Sequence, residues 1–358
     1  MTRKICAVVT ALVIAACIFT AGCNKADYAD FYAFSSPVHA EVSGTLSDEI
    51  KTELKDLMSA LEAEFSVSGG TFTARFNALS AGESIAAEGH VKKVLDTVYM
   101  CYELTEGRFD PTVMPLTRLW QFYPDFPAAD FAPPDKEDIA ALLASGAIGL
   151  ENVRYDPESG QVTKLNAGTE LDFGGILKGY AAQLAGELLV ENGFTEGYVN
   201  VGGSSLFILG SDRLYITHPR KDGNIICVDM KGKNNAAVST SGDYERTYTY
   251  NGRSYCHIID PETGMTAGTG VASVTLIGED GAAADAITTA LCLCAHSPES
   301  PSDPAASELV RLMQKVAAAY PGAVIFAVYD GEDAKQIITN AQAGGFTLED
   351  DSYTPVYI

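Results

Sequence analysis

The chain has 358 residues, 47% hydrophobic and 20% charged, with a formal net charge of −23. That is enough apolar material for one large domain or two small ones, and neither a Pro/Ser-rich linker through the middle nor an internal repeat divides it. So acidic a surface repels nucleic acid and anionic lipid head groups, and any anionic substrate needs a cation at its site.

The first element is a targeting segment. Arg3 and Lys4 form a short basic region, Ile5 to Phe19 is apolar, and Thr20-Ala21-Gly22-Cys23 closes the run with small residues before a cysteine. The apolar stretch is short for a membrane span and has the layout of a signal peptide. Residues 1–22 are expected to be a lipoprotein signal peptide, Cys23 the acylated residue, residues 23–33 a flexible tether, and residues 34–358 one folded domain on the extracytoplasmic side of a membrane. Thr20 departs from the Leu-like residue usual at that point, and a plain secretory signal is the alternative. Cleavage removes two positive charges and no negative one, leaving a more acidic chain. The cysteines beyond Cys23 (Cys101, Cys227, Cys256, Cys292 and Cys294) are odd in number and lie in apolar segments. They read as small buried hydrophobes, and Cys292-Leu293-Cys294 has no zinc spacing.

Apolar residues at Ile50, Leu54, Leu57, Met58, Leu61 and Phe65 predict a helix from Ser47, which can cap it, to Phe65. Val91, Val94, Leu95, Val98 and Tyr102 predict a second. Pro133-Pro134 opens a third over Lys136–Ala144, and a fourth follows Lys178, with Ala181, Leu184, Leu188 and Leu189 inward, ending at Asn192-Gly193. From Tyr198 the character changes to short strands: Leu206–Leu209, Arg213–Thr217, Ile225–Met230 and Ala236–Thr240. Asn251-Gly252, between Thr247–Tyr250 and Arg253–His257, is a hairpin signal. Strands over Val271–Ile277 and Ala323–Tyr329 enclose helices over Ala282–Ala295 and Ala305–Tyr320. Hairpins mixed with packed helices give an α+β class with largely antiparallel sheet, and no strand leads into the spaced glycines of a Rossmann turn.

Asp285 lies in an otherwise apolar helix, with Thr288 and Thr289 on the same face three and four residues on. It either interacts with the helix dipole near the helix start or, with a hydroxyl one turn later, forms an oxygen pair suited to magnesium. Asp172-Phe173-Gly174-Gly175-Ile176-Leu177-Lys178-Gly179-Tyr180 is a glycine-rich loop running into a helix. It is either a tight strand–helix turn or a place where backbone and Lys178 meet a phosphate. Asn200-Val201-Gly202-Gly203 is a second such turn. Val238 to Tyr244 is a hydroxyl cluster. His257, before the turn Asp260-Pro261-Glu262-Thr263-Gly264, is a general base, an orienting donor or a structural residue. Gly107 to Leu116, with Trp120, reads as a rigid loop able to hold an aromatic ring system.

In order, Arg75-Phe76-Asn77, Phe109-Asp110-Pro111-Thr112-Val113 with Pro115-Leu116 and Trp120, Asp172 through Tyr180, Asn200 through Gly203, Val238 through Tyr244, His257 through Gly264 and Ala284-Asp285 with Thr289 resemble the ApbE family, the FAD:protein FMN transferases. The resemblance spans about Phe34 to Tyr329. It implies a T-fold-like α+β domain that binds magnesium and FAD and moves FMN from FAD onto a threonine or serine of a target flavoprotein, releasing AMP. By motif, Gly175 (through its carbonyl), Asp285 and Thr289 would hold the magnesium. Phe34, Phe76, Arg108, Phe109, Asp110, Asp172, Lys178 and Ile259 would line the nucleotide. His257 or a carboxylate such as Asp243 would serve the acceptor hydroxyl. Family acceptors carry an Asp-x-x-Ser/Thr-Gly-Ala-Thr pattern and include membrane electron-transfer subunits and extracellular reductases. Phe34-Ser35-Ser36 stands where a Met-Gly-Thr-like segment is usual, and Ser204 where an acidic or amide residue often follows the glycines. A pyrophosphatase splitting FAD to FMN and AMP, and a flavin-binding lipoprotein without chemistry, are the rival readings.

Overall fold

A computed structural model describes residues 26–123, 126–128 and 130–358. The signal peptide and Cys23 lie outside the described residues. The first half runs β1 (Ala26–Ala33), β2 (Ser36–Ser43), α1 (Asp48–Phe65), α2 (Phe72–Asn77), β3 (Ser84–Ala86), α3 (Gly89–Leu104), α4 (Met114–Leu119), α5 (Lys136–Ala144), β4 (Val153–Tyr155), β5 (Gln161–Lys164) and α6 (Leu177–Glu191). The second half is strand-rich: β6 (Gly197–Val201), β7 (Ser205–Gly210), β8 (Arg213–Thr217), β9 (Asn224–Asp229), β10 (Ala236–Gly242), β11 (Thr247–Tyr250), β12 (Arg253–Cys256) and β13 (Val271–Gly278). After it come α7 (Gly281–Leu291), α8 (Glu308–Ala319), β14 (Val324–Asp330), β15 (Lys335–Thr339), β16 (Phe346–Leu348) and β17 (Thr354–Tyr357).

A nine-stranded sheet in the order β1-β2-β6-β7-β10-β13-β14-β15-β17 forms the frame. Its pairs are antiparallel apart from β15 with β17, which is parallel. Both faces are covered. On one face Val199, Val201, Phe207, Leu209 and Ala237 join the helices in the main core. On the other, Tyr198, Leu206, Ile208 and Val238 pack against Leu214, Ile216, Ile225 and Ile226 of the smaller β16-β9-β8 sheet. The period-two alternation of a strand is thus filled by apolar residues on both sides, so β7 is buried along its whole length. A third cluster joins α4 and α5 to the β11–β12 hairpin through Leu116, Trp120, Ile139, Tyr248, Tyr255 and Ile259.

Local signals explain the element ends. Ser47 caps α1 by accepting the Ile50 N–H at 3.2 Å, and α5 occupies Lys136–Ala144 as the prolines before it imply. The buried side of α6 comprises Ala181, Ala182, Ala185, Gly186 and Leu189, with Leu184 and Leu188 half-buried. The small residues face inward because the helix lies close on the sheet: a Cβ at Gly186 would meet the Phe207 ring at 1.9 Å.

The tether expectation needs correction. From Ala26 the chain is strand β1, paired with β2 from Ala26↔Ser43 to Ala33↔Ser36. Ala29, Phe31 and Ala33 face the core, while the alternate positions are Tyr28, Asp30 and Tyr32. Those outward side chains give the segment the composition of a polar linker.

Candidate active site

α7 is the central helix of the site. Asp280 caps it by accepting the Ala283 N–H at 2.9 Å, which places Asp285 beyond the first turn and assigns the dipole-facing role to Asp280. Asp285 is only 3% exposed. Its Oδ2 accepts the Gly179 N–H at 3.0 Å, and no other described donor reaches the carboxylate. One neutral hydrogen bond is thin compensation for a buried carboxylate, so its chemistry suits a cation as a partner.

α6 crosses α7 at glycines: a Cβ on Gly179 would lie 1.9 Å from the Gly281 carbonyl oxygen and 2.8 Å from Asp285 Cβ. This close crossing brings the loop before α6 onto α7, where the Cβ direction of Gly175 points to Phe109 at 3.4 Å and Thr289 Oγ1 at 3.5 Å. Thr289 Oγ1 donates to the Asp285 carbonyl at 3.0 Å, which keeps its lone pairs turned elsewhere. Ser241, at the end of β10, lies 3.2 Å from the Thr289 hydroxyl and 3.0 Å from that of Thr288. The Asp285 carboxylate and the Thr289 hydroxyl on one helix, with the Gly175 backbone beside Thr289, offer oxygen donors of the kind that suits a hard cation such as magnesium. Among the described residues no group of three His, Cys, Asp or Glu side chains converges.

Asp172 shapes the loop from its other end. Its Oδ1 accepts the Gly174 N–H at 2.8 Å, and its N–H donates to the Pro111 carbonyl at 2.7 Å. Lys178 lies along the loop, its Nζ 3.4 Å from the Gly174 carbonyl. A Cβ on Gly202 would come to 3.2 Å from both Lys178 Cδ and Ser36 Oγ, so the β6–β7 turn and the β1–β2 tip meet beside this lysine. At that tip Phe34 and Ser35 both have positive φ, 53° and 54°, and the Phe34 N–H donates to Glu62 at 2.6 Å. Such a backbone is unusual for residues with a Cβ.

His257 and Glu245 complete the cluster. His257 Nδ1 lies 3.1 Å from the Glu245 carbonyl oxygen. A carbonyl only accepts, so Nδ1 carries the proton and Nε2 presents a lone pair. The ring keeps an opening to solvent, yet dense packing pushes its pKa down to about 3, with Arg246 and Lys178 adding to the effect. Burial raises the Glu245 carboxyl, Lys178 opposes that rise, and Asp285 adds to it.

Several expectations are revised. Phe76 is 0% exposed, packed on Phe72 with the Lys164 ammonium 5.7 Å from its ring centre, so it is core and cannot touch a nucleotide. Asp243 is held by Arg220 through contacts of 2.6 and 2.8 Å to its two oxygens and is no free base. Trp120 is buried, donating its indole N–H to the Gly264 carbonyl at 2.8 Å, so it braces the turn after His257 and presents no ring surface to a ligand. Ile259 packs in the Trp120 cluster. Arg108 is engaged in ion pairs with Asp260, Glu262 and Glu308. With Asp110 it borders a recess of about 370 Å³. Asp110 is buried with both oxygens used, by Thr112 and the Leu150 N–H, and desolvation raises its pKa. Phe109, between them, turns inward to Gly175. Sequence reading missed Glu245 and Arg246, whose signal was a charged pair directly after the hydroxyl cluster.

The ApbE family model matches residues 34–300, which takes in every element of this cluster. The chain belongs to the ApbE family. It is 30% identical over 250 residues to the FAD:protein FMN transferase of Vibrio cholerae, covering 68% of this chain and 71% of that protein. It is 29% identical over 276 residues to the FAD:protein FMN transferase of Rhodobacter capsulatus, covering 74% of this chain but 50% of that protein, so it spans about half the length of that relative. Among solved structures, the ApbE protein of Thermotoga maritima superposes with a TM-score of 0.71 at 28% identity, covering 85% of this chain and 94% of that one. The Vibrio cholerae flavin transferase ApbE shares the fold at a TM-score of 0.72 and 21% identity, covering 88% and 97%. This ApbE-family chain thus has the α+β architecture expected from its hairpins and packed helices.

Proposed function

We propose that this chain transfers FMN from FAD to a serine or threonine hydroxyl of a target flavoprotein, forming a phosphoester and releasing AMP. The observation that carries the reading is the nearly buried Asp285 carboxylate, whose one described hydrogen bond comes from the Gly179 N–H and whose own helix carries Thr289 against the Gly175 loop. Family membership and the transferase names of its relatives support it.

Asp285, Thr289 and the Gly175 carbonyl would hold magnesium, which when bound neutralises pyrophosphate charge and stabilises charge developing on phosphoryl transfer. Lys178 supplies the adjacent side-chain positive charge in an otherwise acidic protein. His257 Nε2 accepts the proton of the acceptor hydroxyl as its oxygen bonds to the FMN phosphorus and the bond to the AMP oxygen breaks. The free-enzyme pKa of about 3 makes His257 a weak base. Burial is the larger cause of that depression, and an anionic pyrophosphate beside Lys178 and Arg246 would offset the smaller contribution of the two cations. The acceptor is a flavoprotein with the Ser/Thr-Gly-Ala-Thr type of motif, and the enzyme acts outside the cytoplasm, anchored through an acylated Cys23.

The chain from Asn24 onward, given FAD, magnesium and an acceptor fragment, should add one FMN to the acceptor by intact mass. FAD consumed with the acceptor unmodified would instead indicate a pyrophosphatase, and FAD bound but intact a flavin carrier.

A further inference from the structure

The solvent face of the β1–β2 hairpin takes no part in the chemistry above. Tyr28 and Tyr32 are 58% and 78% exposed, whereas Ala29 and Ala33 are buried and Phe31 packs on the core. Side chains alternate along a strand, so Tyr28, Asp30 and Tyr32 share the outer face. Tyr28 stacks on His39 with ring centres 6.0 Å apart, and His39 in turn lies 5.5 Å from the buried Tyr198, which backs it from the core side. Asp27 pairs with Lys51 at 3.2 Å, and Asp30, between the two tyrosines with its side chain 61% exposed, is held by a 2.6 Å hydrogen bond with His39. β1 is also the terminal strand of the nine-stranded sheet.

Only Asn24 and Lys25 separate Cys23 from the first residue of β1. A chain extends at most about 3.6 Å per residue, so Ala26 lies within roughly 11 Å of Cys23. We infer that the Tyr28–Tyr32 face rests in the head-group layer of the bilayer holding the Cys23 acyl chains, laying β1 along the membrane surface. The inference rests on the lipoprotein reading of Cys23. Tyrosine suits this layer because its ring is apolar and its hydroxyl is wet. A protein this acidic has little to gain from anionic lipid, so neutral aromatic contact with a zwitterionic surface is the mode its charge allows.

The consequence concerns the acceptor. β1 ends at the Phe34–Ser36 tip beside Lys178, and eight residues at about 3.4 Å each span roughly 27 Å. A strand built into the sheet, not a long flexible tether, sets the distance from anchor to site. The arrangement favours acceptor hydroxyls displayed near the bilayer surface over those far out in solution.

The test uses the full acylated chain in phosphatidylcholine vesicles containing lipids brominated near the head group. Tyr28→Trp and Tyr32→Trp proteins are compared with Tyr250→Trp on the β11–β12 hairpin, with buried Trp120 a constant background. Quenching at positions 28 and 32 should exceed that at 250 by at least about twofold, because aromatic rings seat at the interface. Equal quenching at all three positions, in protein whose mass shows acyl chains, overturns the docking inference and leaves the anchor intact. An unacylated Cys23 overturns the anchor reading and this inference with it. If quenching is equal and Tyr28→Ser/Tyr32→Ser slows FMN transfer by the soluble chain to a soluble acceptor, the edge docks protein instead.

Discussion

Asp285 and His257 are the side chains to which the proposed chemistry assigns roles, and each permits a substitution that separates function from packing. Asp285→Asn keeps the size and removes the charge. If the carboxylate served only the fold, the change would cost about 1 kcal/mol, as for a lost helix cap, and leave turnover intact. As a cation ligand its loss should slow FMN transfer on the order of a thousandfold, with partial recovery as magnesium is raised. Transfer rates against magnesium concentration, alongside thermal melting, decide it; near-normal transfer by a folded variant rejects the metal role. His257→Asn retains an amide N–H near the position of Nδ1 for the Glu245 carbonyl and removes Nε2. It should therefore melt like the parent at neutral pH yet transfer FMN about 10²–10⁴ times more slowly, the usual contribution of a general base. A variant with normal transfer would mean that the ring is only structural. The depressed pKa also has a stability signature. Between about 6.5 and about 3 the unfolded chain binds a proton that the native ring refuses, so stability falls as pH falls through that window and is unaffected above it. Melting curves of His257→Asn should show a shallower acid decline over the same range.

At the scale of elements, the α6–α7 crossing sets the site's dimensions. Gly179 and Gly281 let the two backbones touch, and that contact aims the Gly179 N–H at Asp285 while carrying Gly175 to Thr289. Gly179→Ala cannot be absorbed by a flexible side chain, since its Cβ meets backbone at 1.9 Å. It should cost about 1–3 kcal/mol or more by overpacking and abolish transfer by separating the loop from α7. Gly70→Ala, with nothing within 4 Å of its Cβ, should alter stability by no more than about 0.5 kcal/mol. Comparable melting of the two variants would show that the crossing relaxes without penalty. The Arg220–Asp243 pair acts at the same scale: it fixes the end of β10, from which Ser241, Glu245 and the His257 carbonyl partner are delivered.

For the whole molecule, the acidic net charge and the N-terminal layout underlie the proposal of a membrane-tethered enzyme with a cation at one internal site. Cys23→Ser should release the protein from the membrane fraction or stall its processing, while the acylated parent stays with membranes. Fractionation with mass analysis of the N-terminus checks this, and a mutant that stays membrane-bound beside an unlipidated parent rules it out. The nine-stranded sheet, covered on both faces, makes the domain a rigid platform. Its edge strand begins three residues after the proposed anchor, so anchoring at Cys23 would link position on the membrane to position of the site.

Patterns that depend on neighbours in sequence were legible without coordinates. The periodic helices α1, α3 and α5, the Asn251-Gly252 hairpin, and the pairing of Asp285 with a hydroxyl one turn on all follow from spacing, because helical and strand periods are local. Family motifs carried the candidate ligands as well. What needed the tertiary structure was whatever depends on contacts distant in the chain. Whether Phe76 met ligand or core was decided by Phe72 and Lys164, and whether Asp243 was free was decided by Arg220. The His257 tautomer required the Glu245 carbonyl, and β1 was concealed because its outward half is polar and its inward half only small residues and Phe31. Burial and partnership are properties of the packed chain, so a side chain's type states what it can do, and only its surroundings determine which of those things it does.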